Sequence, residues 1–221
     1  MMKKSIERSL LIVAMIIFVC VSRGKADVLY DNLAATSNGS DPIGSEWGPL
    51  ADSFSTGASS FDFASLTVLL DGTSSTGTIT AYLLADSSTS PGAVLDTIGE
   101  ISETGLDATP TEYTLDTSIA LNPDTRYWIE LTSTDNDASW SYSYDVSGPG
   151  VASEYLSNYQ GTGSPIVFDN DAPIPDGGPY QMEVSGTSLA SVPEPSTISL
   201  LLVAGMAGLA FLRARVKTQS A

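Results

Sequence analysis

Alternation of apolar and polar residues at a period of two, repeated through the middle of the chain, limits the possible folds more than any other feature. Leu66, Val68 and Leu70 alternate with Ser65, Thr67 and Leu69; Ile79, Ala81 and Leu83 with Thr78, Thr80 and Tyr82; Trp140, Tyr142 and Tyr144 with Ser141 and Ser143. Successive side chains of a strand point to opposite faces, so this is the pattern of half-buried strands. Further strands are expected at 28–32, 52–56, 94–101, 112–116, 126–132, 154–156, 166–168 and 180–184. Turn-forming groups separate them, among them Asp71-Gly72, Ser90-Pro91-Gly92 and Asn122-Pro123-Asp124. No segment between 27 and 190 holds apolar residues at helical spacing over three turns. The expected architecture is all-β, an antiparallel β-sandwich or jelly roll of about ten strands.

The two ends have a different character. Residues 1–26 follow the layout of a secretory signal peptide: Lys3, Lys4 and Arg8, then the apolar run 10–21, then Gly24 and Ala26 as small residues before a cleavage point. Signal peptidase is therefore an expected partner, and Asp27 the expected mature N-terminus. At the other end Val192, Pro193, Glu194 and Pro195 precede an apolar run, 198–212, and the basic cluster Arg213, Arg215 and Lys217. Fifteen helical residues rise about 22 Å, short of the ~30 Å hydrocarbon core, yet able to cross a thinned bilayer with snorkelling arginines. Basic residues stay on the cytoplasmic side, which leaves 218–221 as a short cytoplasmic tail and the body 27–190 outside. Prolines on both sides of Glu194 keep that stretch extended, a form that a protease or transpeptidase binds.

With both ends set apart, the body holds one basic residue, Arg126, and 24 acidic ones, a formal charge of −23. Such a surface repels nucleic acid and anionic membranes and attracts divalent cations or basic polymers. The chain has no histidine, and its one cysteine, Cys20, lies in the signal segment. Histidine- or cysteine-based nucleophile activation and ordinary zinc sites are excluded from the body. No catalytic residue is assigned, and the body is read as non-enzymatic. A glycan hydrolase working with two carboxylates is an alternative, but no local pattern selects a pair.

Two sets of residues are candidates for ligand binding. Trp140, Tyr142 and Tyr144 on one strand, and Trp128 on another beside Glu130, would stack sugar rings if they faced solvent as a row. The competing reading places the three rings on the core face, with Ser141 and Ser143 outside. For Trp128, one face of the strand formed by Tyr127, Trp128, Ile129, Glu130 and Leu131 is expected to be the more exposed. Asp135 and Asp137, and likewise Asp169 and Asp171, flank an asparagine in oxygen-rich loops where calcium is conceivable, against the reading that these are solvated turns. No cofactor is otherwise implied.

The segment 191–217, with Val192-Pro193-Glu194-Pro195, the apolar run and the basic cluster, resembles a PEP-CTERM sorting signal in the order, spacing and terminal position of its parts. That resemblance implies a transient membrane anchor, cut near the Pro-Glu-Pro by an exosortase-type membrane enzyme. It also implies a Gram-negative bacterium, an inner-membrane intermediate, and delivery to a cell surface or matrix containing extracellular polysaccharide. The body is similar, more loosely, to the choice-of-anchor β-sandwich domains that precede such tails. Ala81-Tyr82-Leu83-Leu84-Ala85-Asp86, Ser90-Pro91-Gly92-Ala93-Val94-Leu95 and the run from Leu121 to Leu131 carry this second likeness, which bears on the fold and not on an activity.

Overall fold

The structure is a computed structural model that describes residues 26–44, 48–73, 76–135, 137–151, 156–159, 166–169 and 178–189. The chain divides into two units, Met1–Leu189 and Ala190–Ala221, and every described residue belongs to the first. Residues 1–25 of the signal segment and the whole segment 191–221 lie outside the described residues.

Twelve strands are described: β1 (Ala26–Asp31), β2 (Gly39–Ile43), β3 (Leu50–Ser55), β4 (Phe61–Gly72), β5 (Thr78–Asp86), β6 (Pro91–Ser102), β7 (Thr111–Leu121), β8 (Arg126–Ser133), β9 (Ala138–Tyr142), β10 (Leu156–Tyr159), β11 (Ile166–Asp169) and β12 (Met182–Ser188). They form two antiparallel sheets. The first runs β1-β12-β4-β9-β2, with β7 also paired to β4; the second runs β11-β10-β3-β8-β5-β6. One core lies between them, with Phe63, Leu66, Val68, Trp140 and Val184 from the first sheet packed against Leu50, Phe54, Ile79, Leu83, Ile129 and Leu131 from the second. The fold is thus an all-β sandwich.

Within β4 the register explains the alternation. Phe61 and Phe63 are buried, and so are Leu66, Val68 and Leu70, which would put the two sets on opposite faces of a regular strand. A register shift against β7 between Phe63 and Ser65, matched in β12 between Ser185 and Gly186, returns both sets to the core. Gly186 is required there, because a Cβ on it would lie 2.0 Å from the Asp62 carbonyl oxygen and 2.5 Å from the Phe61 ring. We expect Gly186→Ala to cost about 1–3 kcal/mol, in the range of overpacked cores, read as a lower urea midpoint. An unchanged midpoint would show that the seam adjusts freely.

The structure corrects several expectations. Strand β2, Gly-Ser-Asp-Pro-Ile, has no alternation that marks it as a strand; it forms because its five residues pair with β9 from Gly39–Tyr142 to Ile43–Ala138. Asp71 and Gly72 do not turn but extend β4, paired with Ser139 and Ala138. Pro91 and Gly92 open β6, and the turn falls just before them, where Ser88 and Thr89 have φ of 55° and 71°.

Candidate functional site

Sequence reasoning offered the aromatic residues first, and burial decides among them. Trp140 is fully buried, stacks on Tyr180 with centroids 4.7 Å apart, and donates from Nε1 to the Gln181 carbonyl at 3.0 Å. Tyr142 is half-buried, and Tyr144, beyond the end of β9, is 49% exposed. Their two rings are tilted by 50° at 5.8 Å. Trp128 is fully buried too, in a small cluster with Ala51, Leu84 and Tyr82 on the face of the second sheet away from the main core. Its Nε1 donates to Asp86 at 2.9 Å. The solvent-facing row is therefore not formed: Trp128 and Trp140 have no ring face to offer a sugar.

One neighbouring expectation needs correction as well. Ser141 and Ser143, placed outside by the alternation, are both fully buried. The segment between β1 and β2 packs on Ser143. Ser143 Oγ donates to the Thr36 carbonyl at 2.9 Å, and Gln181 Nε2 donates to the carbonyls of Asn32, Leu33 and Ala35 at 2.8–3.3 Å. In β8 the face carrying Tyr127, Ile129 and Leu131 is buried, and the face carrying Trp128 and Glu130 is the more exposed, because Glu130 is half-buried although Trp128 is enclosed.

Of the acidic candidates, Asp135 and Asp137 are described, Asp169 ends β11 with its side chain outside the described set, and Asp171 lies outside the described residues. The sheet topology brings a third carboxylate to the first pair. Strand β5 pairs with β6 through Thr78–Ser102 and with β8 through Ile79–Ser133, so the residues just beyond those positions meet at one end of the sandwich. Glu103, the first residue of a 3-10 turn at Glu103–Gly105, is fully buried there. Its Oε1 accepts from the Ser133 hydroxyl at 2.6 Å, while Oε2 is buried without a hydrogen-bond partner. Ser133 Oγ also sits against the Asp135 carbonyl and accepts from the Asp135 N–H at 3.0 Å. Asp135 Oδ2 accepts from Thr76 Oγ1 at 2.8 Å.

Gly77 is the point on which these groups converge. Its φ is +104°, and a Cβ on it would lie 2.8 Å from both the Glu103 carboxyl carbon and the Asp135 Cβ. Burial raises the Glu103 pKa above its ordinary value; the Ser133 hydroxyl and an Asp135 backbone hydrogen bond oppose that rise, and the charges of Asp135 and Asp137 add to it. Glu103 escaped sequence reasoning because nothing adjacent to it marks it. Only the pairing of β5 with two distant strands brings it to Asp135.

A second buried acid stands apart from this cluster. Asp52 occupies the core face of β3 between Leu50 and Phe54, opposite Ile129. The Ser53 N–H donates to its Oδ1 at 2.8 Å, and the Tyr30 hydroxyl, from the first sheet, to its Oδ2 at 3.5 Å. Burial pushes its pKa well above the carboxylate range, with these donors and a Tyr180 backbone hydrogen bond opposing the rise.

Comparison with known proteins bears on the segment beyond the sandwich. Residues 191–215 match the PEP-CTERM protein-sorting motif. The chain therefore carries this C-terminal sorting signal, and is an exported protein sorted by an exosortase through the membrane to the cell surface. No curated protein matches it. Among solved structures, a chain of the infectious bursal disease virus Gx strain is 13% identical with a TM-score of 0.33, over 84% of this chain and 49% of that one. A chain of the Gt strain of the same virus is 11% identical with a TM-score of 0.31, over 77% and 39%. This chain thus spans at most about half the length of those it matches. Among the described residues, no helix is long and apolar enough to cross a membrane.

Proposed function

We propose that this chain is a non-enzymatic surface protein, an acidic β-sandwich placed among the extracellular polysaccharide of a Gram-negative bacterium. The carrying observation is the sorting motif at 191–215, which follows a sandwich whose last strand ends at Ser188. Two residues then separate Ser188 from the motif, so the Pro-Glu-Pro stretch lies in the chain just past the folded domain. In this reading a signal peptide at 1–26 directs export and is removed by signal peptidase. The apolar run 198–212 holds the chain transiently in the inner membrane, and cleavage near Glu194 frees the sandwich. A body with 24 acidic residues and one basic one, and neither histidine nor cysteine, suits a hydrated, chemically inert matrix component.

Mass spectrometry of the exported protein tests the reading. The expected product starts at Asp27, ends near Pro195, and fractionates with extracellular polysaccharide. Glu194→Ala is expected to accumulate in the membrane fraction with Arg213, Arg215 and Lys217 still attached. Recovery of those three residues in the mature wild-type protein would instead establish a permanent anchor.

A further inference from the structure

We propose that the end of the sandwich where Glu103, Asp135 and Gly77 meet is a calcium site, with the Glu103 and Asp135 carboxylates as its charged ligands. The inference is independent of how the tail is processed. It begins with Glu103 Oε2, a carboxylate oxygen that is buried and has no hydrogen-bond partner. Buried polar atoms in folded proteins nearly always have a partner, and a buried carboxylate without compensation is costly. The Ser133 hydroxyl and an Asp135 backbone hydrogen bond offset part of that cost, while the charges of Asp135 and Asp137 add to it.

The body has nothing of its own to neutralise this group. Arg126 is the one basic residue between 27 and 190. It begins β8, whereas Ser133, which touches Glu103, ends the same strand. Seven residue-to-residue steps of strand separate the two, a distance of about 23 Å. A cation that compensates the ionised form therefore comes from solution, in competition with a proton on the same carboxyl.

The donor chemistry selects the ion. With neither histidine nor cysteine in the body, every available ligand is oxygen, which suits a hard cation. Beside the two carboxylates lie the hydroxyls of Thr76 and Ser133 and the Asp135 carbonyl. Calcium takes six to eight such oxygens in loose geometry, whereas magnesium demands a near-ideal octahedron. Among the described residues no three acidic or other ligating side chains are arranged to hold a metal between them. The site therefore takes two carboxylates directly, with water completing the shell and Asp137 contributing its charge through that water. So few charged ligands place it in the weak class of extracellular modules, with Kd about 10⁻⁴–10⁻³ M.

Calorimetric titration of the purified full-length protein with calcium chloride, repeated with magnesium chloride and paired with thermal unfolding, tests this. Calcium is expected to bind saturably in that range and raise Tm, and magnesium at equal concentration to raise it less. Glu103→Gln is expected to lose at least about tenfold in calcium affinity, while its Tm without calcium equals or exceeds that of the wild type, since the buried charge is gone. Asp135→Asn should lose affinity as well, and Asp96→Asn, on the exposed part of β6, should keep it. Equal, non-saturating responses to both metals in wild type and Glu103→Gln would reduce the effect to screening of the acidic surface and overturn the proposal. So would a Glu103→Gln protein that binds calcium as the wild type does.

Discussion

Trp140→Ala is expected to lower the unfolding free energy by about 3–5 kcal/mol, the range for removing a fully buried aromatic side chain. The ring lies on the core face of β9, stacked on Tyr180, and its N–H serves the Gln181 carbonyl. Tyr180 in turn donates to Asp41 Oδ2 at 2.8 Å, so the stack ties β9 and the approach to β12 to the edge strand β2. Trp140→Phe should recover much of the packing while leaving the Gln181 carbonyl short of its donor. Tyr144→Ala, at an exposed position, should stay within about 0.5 kcal/mol of wild type. Urea unfolding of the three variants checks the ranking. A Trp140→Ala protein as stable as wild type would mean that this ring is not part of the core and would reopen its use as a sugar platform.

Asp52 gives the second large effect, in the pH dependence of stability. Its folded-state pKa is raised above the ordinary value, chiefly by burial. A raised carboxyl contributes stability that is fully present below the unfolded-state pKa and lost as pH rises through the folded one. Asp52→Asn removes that titration and keeps the shape. The stability of wild type relative to Asp52→Asn should therefore fall with rising pH, by about 1.4 kcal/mol for each unit separating the two pKa values. Comparing the two proteins at each pH cancels the contribution of the remaining acids. Denaturation at a series of pH values from mildly acidic to mildly alkaline measures the gap. Parallel profiles would show that Asp52 titrates normally and that the charge is accommodated between the sheets.

Much of the sandwich was legible because its strands bury one face and wet the other. Leu66, Val68 and Leu70, and Ile79, Ala81 and Leu83, alternate in the sequence and point into the core. The failures share a cause, which is burial supplied from a distance. Ser141 and Ser143 look like exterior residues but are buried, Ser143 against the Thr36 carbonyl of the segment between β1 and β2. Trp128 looks available until Ala51, Leu84 and Tyr82 from neighbouring strands enclose it. Strand β2 owes its existence to β9, not to its own residues. Glu103 reaches the Asp135 loop because β5 lies between β6 and β8, a fact of topology that no local pattern encodes. Asp52 breaks the apolar series Leu50, Phe54 at the place where a hydroxyl from the opposite sheet reaches it. The sorting motif at 191–215 was legible because it is carried by the order and spacing of residues along one short stretch of chain.

The pairing of the first described strand with the last has its own consequence for a chain that must leave the cell. In β1, Ala26 lies opposite Thr187, and the Ser188 hydroxyl donates to Asp27 across a sequence separation of 161 residues. Strand β12 is also the link between β1 and β4, so until it arrives β1 has no place in the sheet. Contacts this distant in sequence form late, because a long loop must close before they contribute. A chain threaded across a membrane from its N-terminus cannot complete this domain until nearly all of it has crossed. A chain interrupted before Met182 keeps β1 unpaired and the β12 side of β4 bare, an open edge that invites pairing with other chains.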